Sequence, residues 1–427
     1  MKPVQAILIY LLTIFLSLTG FFGSRQSTTE PLPSVEVGQG ALVGGEQVVL
    51  REGPGGAYAP VKTLAKGEEV QVIGEQNGWY QVQTRTHESG WVAGWLLTGT
   101  LMGSSVSHRP REVLGYYVDD LRQTGYDSLA ANDQWTAVAP WAYMLDGEGN
   151  LQGKTPAKVL DLAGSRGKQT LALIHNYQDT KFDGAMATTL LSNPEARGQA
   201  VENIYQMLLR WGYSGVNIDF ENVPHQQKDN LNAFMQELAD RLQPEGLLVT
   251  MSIPAKTDKT ANANWIGAYD YRTLGRIVDG LQLMTYDEHY RDGSPGPIAS
   301  IGWVEEVITY ALKHVPRNKL YLGIALYGYD WEEVAPGEWT GQAITQRQAK
   351  TLAETKNVPV NWDAVHKVPH FSYTDLGNRH VVYFEDRYSL SHKLYLVNKY
   401  DLAGIALWRL GFEDPAVWSI IGRSLRP

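Results

Sequence analysis

Hydrophobic and polar positions change rhythm along the chain, and the changes mark its parts. Ala6 to Phe22 carries no charge and lies behind Met1 and Lys2, the layout of an export segment. The run is long for a signal core and short of the ~20 apolar residues that span a bilayer, and Phe21 and Phe22 disturb a small-residue cleavage site. Residues 1–24 are therefore expected to be a signal peptide or a membrane anchor, and any membrane contact is expected through them alone. Residues 25–38 are polar and aperiodic, contain Pro31 and Pro33, and read as a linker. Between residues 39 and 99 the period becomes two, in Gln47–Arg51, Glu69–Ile73, Trp79–Gln83 and Gly90–Trp95, with glycine-rich turns such as Gly53–Gly56. That pattern predicts a small antiparallel barrel. Residues 100–110 form a second linker.

From residue 111 to 427 apolar runs alternate with stripes of helical period. Strands are expected at Val113–Val118, Ala137–Trp141, Thr170–Ile174, Gly215–Phe220, Leu247–Ile253, Ile277–Tyr286, Leu320–Tyr327 and Gly404–Trp408. Between the third and fourth, Ser192 to Glu195 offers a capping box, Val201, Ile204, Tyr205, Leu208 and Leu209 make one stripe, and Gly212 ends it. Leu231, Phe234, Met235, Leu238 and Leu242 make another after the fourth strand. Eight such units favour a (β/α)8 barrel over an open sheet, and no glycine-rich phosphate loop follows the first strand. The interval from about 330 to 400 holds a hairpin pattern, His370–Asp375 then His380–Asp386, and reads as a small α+β insertion between strands seven and eight.

Composition narrows the chemistry. The formal charge of −9, with no long Lys/Arg run, argues against a nucleic-acid partner. Cysteine is absent, which removes disulfides and thiolate metal sites. The 13 Trp and 23 Tyr suit surfaces that stack on sugar rings, although most must serve packing. His175, Asp287, Glu288 and His289 lack metal-ligand spacing, and Ser192 has no nucleophile-elbow context; no metal or cofactor is expected, and the chain is expected to act as a monomer.

The segment Gly215-Val-Asn-Ile-Asp-Phe-Glu221 carries the chemistry. Side chains alternate on a strand, so Val216, Ile218 and Phe220 face the helix layer while Asn217, Asp219 and Glu221 face the barrel interior, with Glu221 at its C-terminal mouth. Three inward polar positions are costly to bury without a purpose, although Asn217 alone suits a structural role. Asp219 and Glu221 stand roughly 6–7 Å apart on one wall, so they cannot flank a glycosidic bond from two sides. Glu221 can serve as acid/base with its pKa raised by a carboxylate neighbour, and the missing nucleophile can come from a substrate N-acetyl oxygen.

These residues resemble the glycoside hydrolase family 18 signature Asp-Gly-x-Asp-x-Asp-x-Glu at Gly215, Asp219 and Glu221. Met284-Thr-Tyr-Asp287 resembles the family's strand-six motif, Trp408 its pocket-floor Trp, and Tyr116 its strand-one aromatic. The resemblance implies Glu221 as acid/base, Asp219 orienting an acetamido group, Tyr286 donating to the acetamido oxygen, Asp287 supporting that network or binding sugar, and Trp408 stacking beneath the sugar. Tyr116, Asn217 and Asn176 join the expected substrate contacts. Ser214 and Asn217 replace the first two Asp of the signature, and His175-Asn176 replaces the usual end of strand three. The segments Gly215-Val-Asn-Ile-Asp-Phe-Glu-Asn222 and Met284-Thr-Tyr-Asp-Glu-His289 resemble the family's spore-cortex and cell-wall branch, which implies secreted or anchored hydrolysis after N-acetylglucosamine in peptidoglycan. A chitinase is the alternative, and a chitinase-like lectin the alternative of another class. The residues from Leu50 to Pro54, Gly78-Trp-Tyr80 and Gly90-Trp-Val92 resemble a bacterial SH3 domain, a module that can take cell-wall peptides.

Overall fold

The computed structural model describes residues 40–44, 47–76, 78–84, 88–101, 111–120, 122–260, 263 and 266–425. The expected export segment, the 25–38 linker and most of the second linker lie outside them. Two compact units result.

The smaller unit is a seven-stranded antiparallel sheet whose spatial order interleaves distant strands. Alternation turns Val48, Leu50, Val70, Val72, Tyr80, Val82 and Val92 into one buried core. Three further strands join those that the pattern predicts: Gly40–Val43, Pro60–Ala65 and Leu97–Leu101. Trp91 sits in the strand Ser89–Ala93, after which the chain leaves the ladder as a short 3-10 turn.

The larger unit closes eight parallel strands into a barrel: Glu112–Tyr117, Ala137–Leu145, Gln169–His175, Gly215–Asp219, Leu248–Pro254, Gly280–Met284, Leu320–Ala325 and Gly404–Trp408. Strand one pairs with both strand eight and strand two, which completes the ring. Strands four and eight open on glycine because the neighbouring strand comes too close for a side chain. A Cβ at Gly215 would lie 2.2 Å from the Leu248 carbonyl oxygen, and one at Gly404 1.9 Å from that of Glu112. Strand six is shorter than its apolar run: Ile277 ends the helix Tyr271–Ile277 that Asp270 caps, and Thr285, Tyr286 and Asp287 leave the ladder.

Around the barrel, the helix Pro194–Trp211 buries Val201, Ile204, Tyr205 and Leu208 and stops at Gly212, whose φ of 67° is left-handed. Leu209 is 53% exposed, so the inward stripe is narrower than its apolar spacing. The expected capping box is replaced by a simpler cap. Ser192 is the last residue of a separate helix, Gly184–Ser192, and Asn193 accepts from the Glu195 backbone N–H. The helix Lys228–Leu242 buries all five residues of its stripe.

The inserted sheet has five antiparallel strands with the helix Gln346–Lys356 against them, and it contains the expected hairpin as Val368–Asp375 and Asn378–Phe384. It ends earlier than the 330–400 interval. The helix Arg387–Lys399 buries Leu390, Leu394 and Val397 in the barrel's own core and belongs to the outer ring.

Candidate active site

The barrel interior is divided. Strands one, two, three and eight fill it with Leu114, Tyr116, Ala137, Ala139, Leu171, Leu173 and Ala406. Strands four, five and six present a polar belt. Asn217 donates from Nδ2 to Thr250 Oγ1 at 3.0 Å and to Gln282 Oε1 at 2.8 Å. Ser252 Oγ donates to Asn217 Oδ1 at 3.0 Å, which leaves the Tyr116 hydroxyl to donate to Ser252 Oγ at 2.8 Å. Every polar group of the Asn217 side chain is thus engaged, and the residue is fully buried. Asn217, expected among the substrate contacts though also suited to a structural role, lies beneath the cleft as part of the belt because strands five and six claim its amide.

Above this belt opens a cleft of about 620 Å³ at the C-terminal ends of the strands, the mouth where barrel enzymes work. Asp219, Glu221, Tyr286, Asp287, Trp408 and Tyr116 all line it. Glu221 lies past the end of strand four, whose ladder stops at Asp219, so backbone contacts outside the sheet must aim it. Asn176 supplies them: its Oδ1 accepts from the Glu221 N–H at 2.9 Å and its Nδ2 donates to the Glu221 carbonyl at 2.8 Å. The buried Tyr269 hydroxyl donates to the preceding carbonyl, Phe220 O, at 2.8 Å. Asn176, an expected substrate contact, is instead fully buried and clamps the backbone of Glu221.

Electrostatics favour protonated carboxyls. Asp219 is 5% exposed, and burial raises its pKa to about 7, with the Trp141 indole moderating the rise. The indole N–H stands near enough to the carboxyl to lower its pKa but falls short of hydrogen-bond geometry, so Oδ1 and the indole nitrogen are both buried without a partner. Glu221 is raised well above the usual carboxylate range, by burial first and then by the charges of Asp219 and Asp287. The expected carboxylate neighbour does raise it, and burial contributes more. Burial raises Asp287 as well, and the hydroxyls of Tyr327 and Tyr329, 2.5 and 3.2 Å from Oδ1, oppose that rise.

The strand-six motif is built to present its last two residues. Thr285 Oγ1 donates to the Gly323 carbonyl at 2.6 Å, tying the strand end to strand seven, and Asp287 turns back at φ 57°. Tyr116 meets Trp408 edge to face at 5.6 Å.

Several lining residues carry little signal in the sequence. Trp141 ends its expected strand as Trp408 ends strand eight, and that shared position is the available clue. It stacks at 4.0 Å on His175, which burial keeps neutral, with a pKa lowered to about 3. The altered end of strand three continues into a two-stranded turn, Tyr177–Gln178 and Lys181–Phe182, whose Asp179 and Thr180 both take positive φ. Tyr177, Gln178, Asp179, Thr180 and Phe182 wall the cleft. No spacing rule points to Trp303 or Arg409, which also line it. His289 has no role in the cleft: its ring bonds the Pro297 carbonyl at 3.0 Å. Among the described residues no cluster of His, Asp and Glu is arranged to hold a metal.

A closed (β/α)8 barrel with buried carboxyls and aromatic walls at its mouth is a site suited to a glycosidase. The pattern of the glycosyl hydrolases family 18 matches residues 165–413, and the chain belongs to that family. A bacterial SH3 domain matches residues 46–98. The cortical fragment-lytic enzyme of Bacillus subtilis is 31% identical over 293 residues, 68% of each chain. The crystal structure of the Bacillus cereus spore cortex-lytic enzyme SleL superposes with a TM-score of 0.72 at 26% identity, covering 86% of this chain and 91% of that one. A chitinase from Chromobacterium violaceum superposes at 0.68 with 31% identity, over 74% of this chain and 99% of its own.

Proposed function

We propose that this enzyme hydrolyses the β-1,4 bond after N-acetylglucosamine in peptidoglycan of the cell wall or spore cortex, with retention and with help from the substrate's own acetamido group. The observation that carries the mechanism is the orphaned, buried Oδ1 of Asp219 beside Glu221, whose burial favours the acid form. A buried acceptor without a donor costs free energy that an incoming acetamido N–H removes. Held there, the acetamido carbonyl oxygen attacks the anomeric carbon while Glu221 passes its proton to the leaving oxygen. Glu221 then takes a proton from the water that opens the cyclic intermediate and so restores the free acid. Tyr286 donates to the acetamido oxygen, Asp287 is held near it by Tyr327 and Tyr329, and Trp408 offers an apolar floor to the sugar face.

The cortex-lytic relatives support peptidoglycan as the polymer; the similarity to the Chromobacterium chitinase supports chitin oligosaccharides as the second reading. Peptidoglycan places the working enzyme outside the cytoplasm, in keeping with the Ala6–Phe22 segment, and gives the SH3 domain wall peptide as its ligand. Mass spectrometry of purified peptidoglycan digested by the wild type should show new reducing-end N-acetylglucosamine. Glu221→Gln should lower the rate by about 10²- to 10⁴-fold. Products ending in reducing muramic acid, or release from chitin oligosaccharides alone, would refute the peptidoglycan assignment.

A further inference from the structure

Among the described residues, Arg409 is the single basic residue lining a cleft that also contains Asp146, Asp179, Asp219, Glu221 and Asp287. It follows Trp408 directly, is only 7% exposed, and its Nη1 is buried without a hydrogen bond. A buried guanidinium is costly unless its donors are met. The obvious structural partner does not meet them. Asp120 pairs with Nη1 only at 3.7 Å, beyond hydrogen-bond reach, while its Oδ1 accepts from the Arg122 and Thr124 N–H groups and its Oδ2 from the Thr124 hydroxyl, at 2.8–3.2 Å. The Phe412 ring covers one face of the guanidinium at 4.1 Å, which restricts its plane. Nor does Arg409 serve the catalytic acid: the shifts of Asp219 and Glu221 come from burial, from Trp141 and from the neighbouring carboxylates.

A polymer of N-acetylglucosamine is uncharged and offers a guanidinium only neutral hydroxyl and acetamido acceptors. Peptidoglycan differs from it at every second sugar, where a 3-O-lactyl ether ends in a carboxylate or, when peptide-substituted, in an amide carbonyl. We infer that Arg409 reads the lactyl oxygens of the muramic residue next to the sugar bound over Trp408, and so sets the preference for peptidoglycan over chitin. This inference rests on the proposed peptidoglycan activity. The fork of a guanidinium matches a carboxylate at two points, so the free acid should be favoured over the amide.

The test compares four substrates of equal length: a glucosaminyl-muramyl oligosaccharide with its free lactyl carboxylate, the same compound amidated with alanine, the same compound reduced to the primary alcohol, and a chitin oligosaccharide. One charge-assisted hydrogen bond of this kind corresponds to about a tenfold to hundredfold difference in kcat/KM. The wild-type enzyme should favour the free acid over the alcohol by that factor, with the amide between them. Arg409→Met, which keeps the stem's packing, should lower the ratio of muramyl to chitin kcat/KM by a similar factor, and Arg409→Lys should restore part of it. Equal wild-type rates on the acid and the alcohol would overturn the inference, and that comparison needs no variant to fold. A Met variant with an unchanged substrate ratio would also overturn it while leaving the peptidoglycan activity standing. A wild type that cleaves only the chitin oligosaccharide would remove both together.

Discussion

Asn176 holds both backbone polar groups of Glu221 through one amide, accepting at Oδ1 and donating at Nδ2. Its Nδ2 also reaches the Asp183 carbonyl at 3.2 Å. No other side chain of that size both donates and accepts in this way. Asn176→Ala should therefore lower kcat by about 10- to 100-fold, the cost of one or two buried hydrogen bonds, with a smaller change in KM. Asn176→Asp should be worse, since a carboxylate would face two carbonyl oxygens. Steady-state kinetics on wall oligosaccharides separates the two parameters. The raised pKa values of Asp219 and Glu221 have a direction of their own: the proton that the proposed mechanism takes from Glu221 is lost as pH rises. Activity should fall on the alkaline side with an apparent pKa belonging to the pair, and Asp219→Asn, which removes one of the charges that raise Glu221, should move that limb to lower pH in a pH–rate profile.

At the scale of elements, Gly215 is the position where two strands meet most closely within the signature. Gly215→Ala should destabilise the barrel by about 1–3 kcal/mol, read as a lower midpoint in urea unfolding. Thr285→Val leaves the Gly323 carbonyl without its side-chain donor and should loosen Tyr286 and Asp287, raising KM more than it lowers stability. The same elements show what is legible in the chain. Alternation across residues 215–221 and the apolar runs of the other strands place the barrel and its catalytic edge, because period and burial are local properties. The fates of Asn176 and Asn217 are not legible: whether an inward amide meets sugar or neighbouring strands depends on residues remote in sequence, such as Thr250, Ser252 and Gln282 around Asn217. Leu209 fails for the same reason, since a helix stripe does not state how wide its partner surface is. Arg387–Lys399 looks like part of the insertion in the sequence because only the packed barrel shows which core takes Leu390 and Leu394.

For the whole molecule, the acid machinery works against the stability of the fold. Asp219 binds its proton more tightly folded, at a pKa of about 7, than its ordinary value of 3.8. The stabilisation from that proton is present below about pH 4 and is lost as pH rises through about 7. Asp219→Asn and Glu221→Gln should therefore raise the melting temperature at pH 8 relative to wild type, and much less at pH 4, by differential scanning calorimetry; an equal gain at both pH values would contradict the burial argument. The divided barrel interior has a further consequence, for how such a chain can change over generations. Apart from the Tyr116 hydroxyl bonded to Ser252, strands one, two, three and eight enclose methyls and rings, where one residue can replace another if volume is kept. The amide belt of Asn217, Thr250, Ser252 and Gln282 admits an exchange only when donors and acceptors are exchanged together. Natural variants of this enzyme should accordingly drift singly on the first side and in correlated groups on the second.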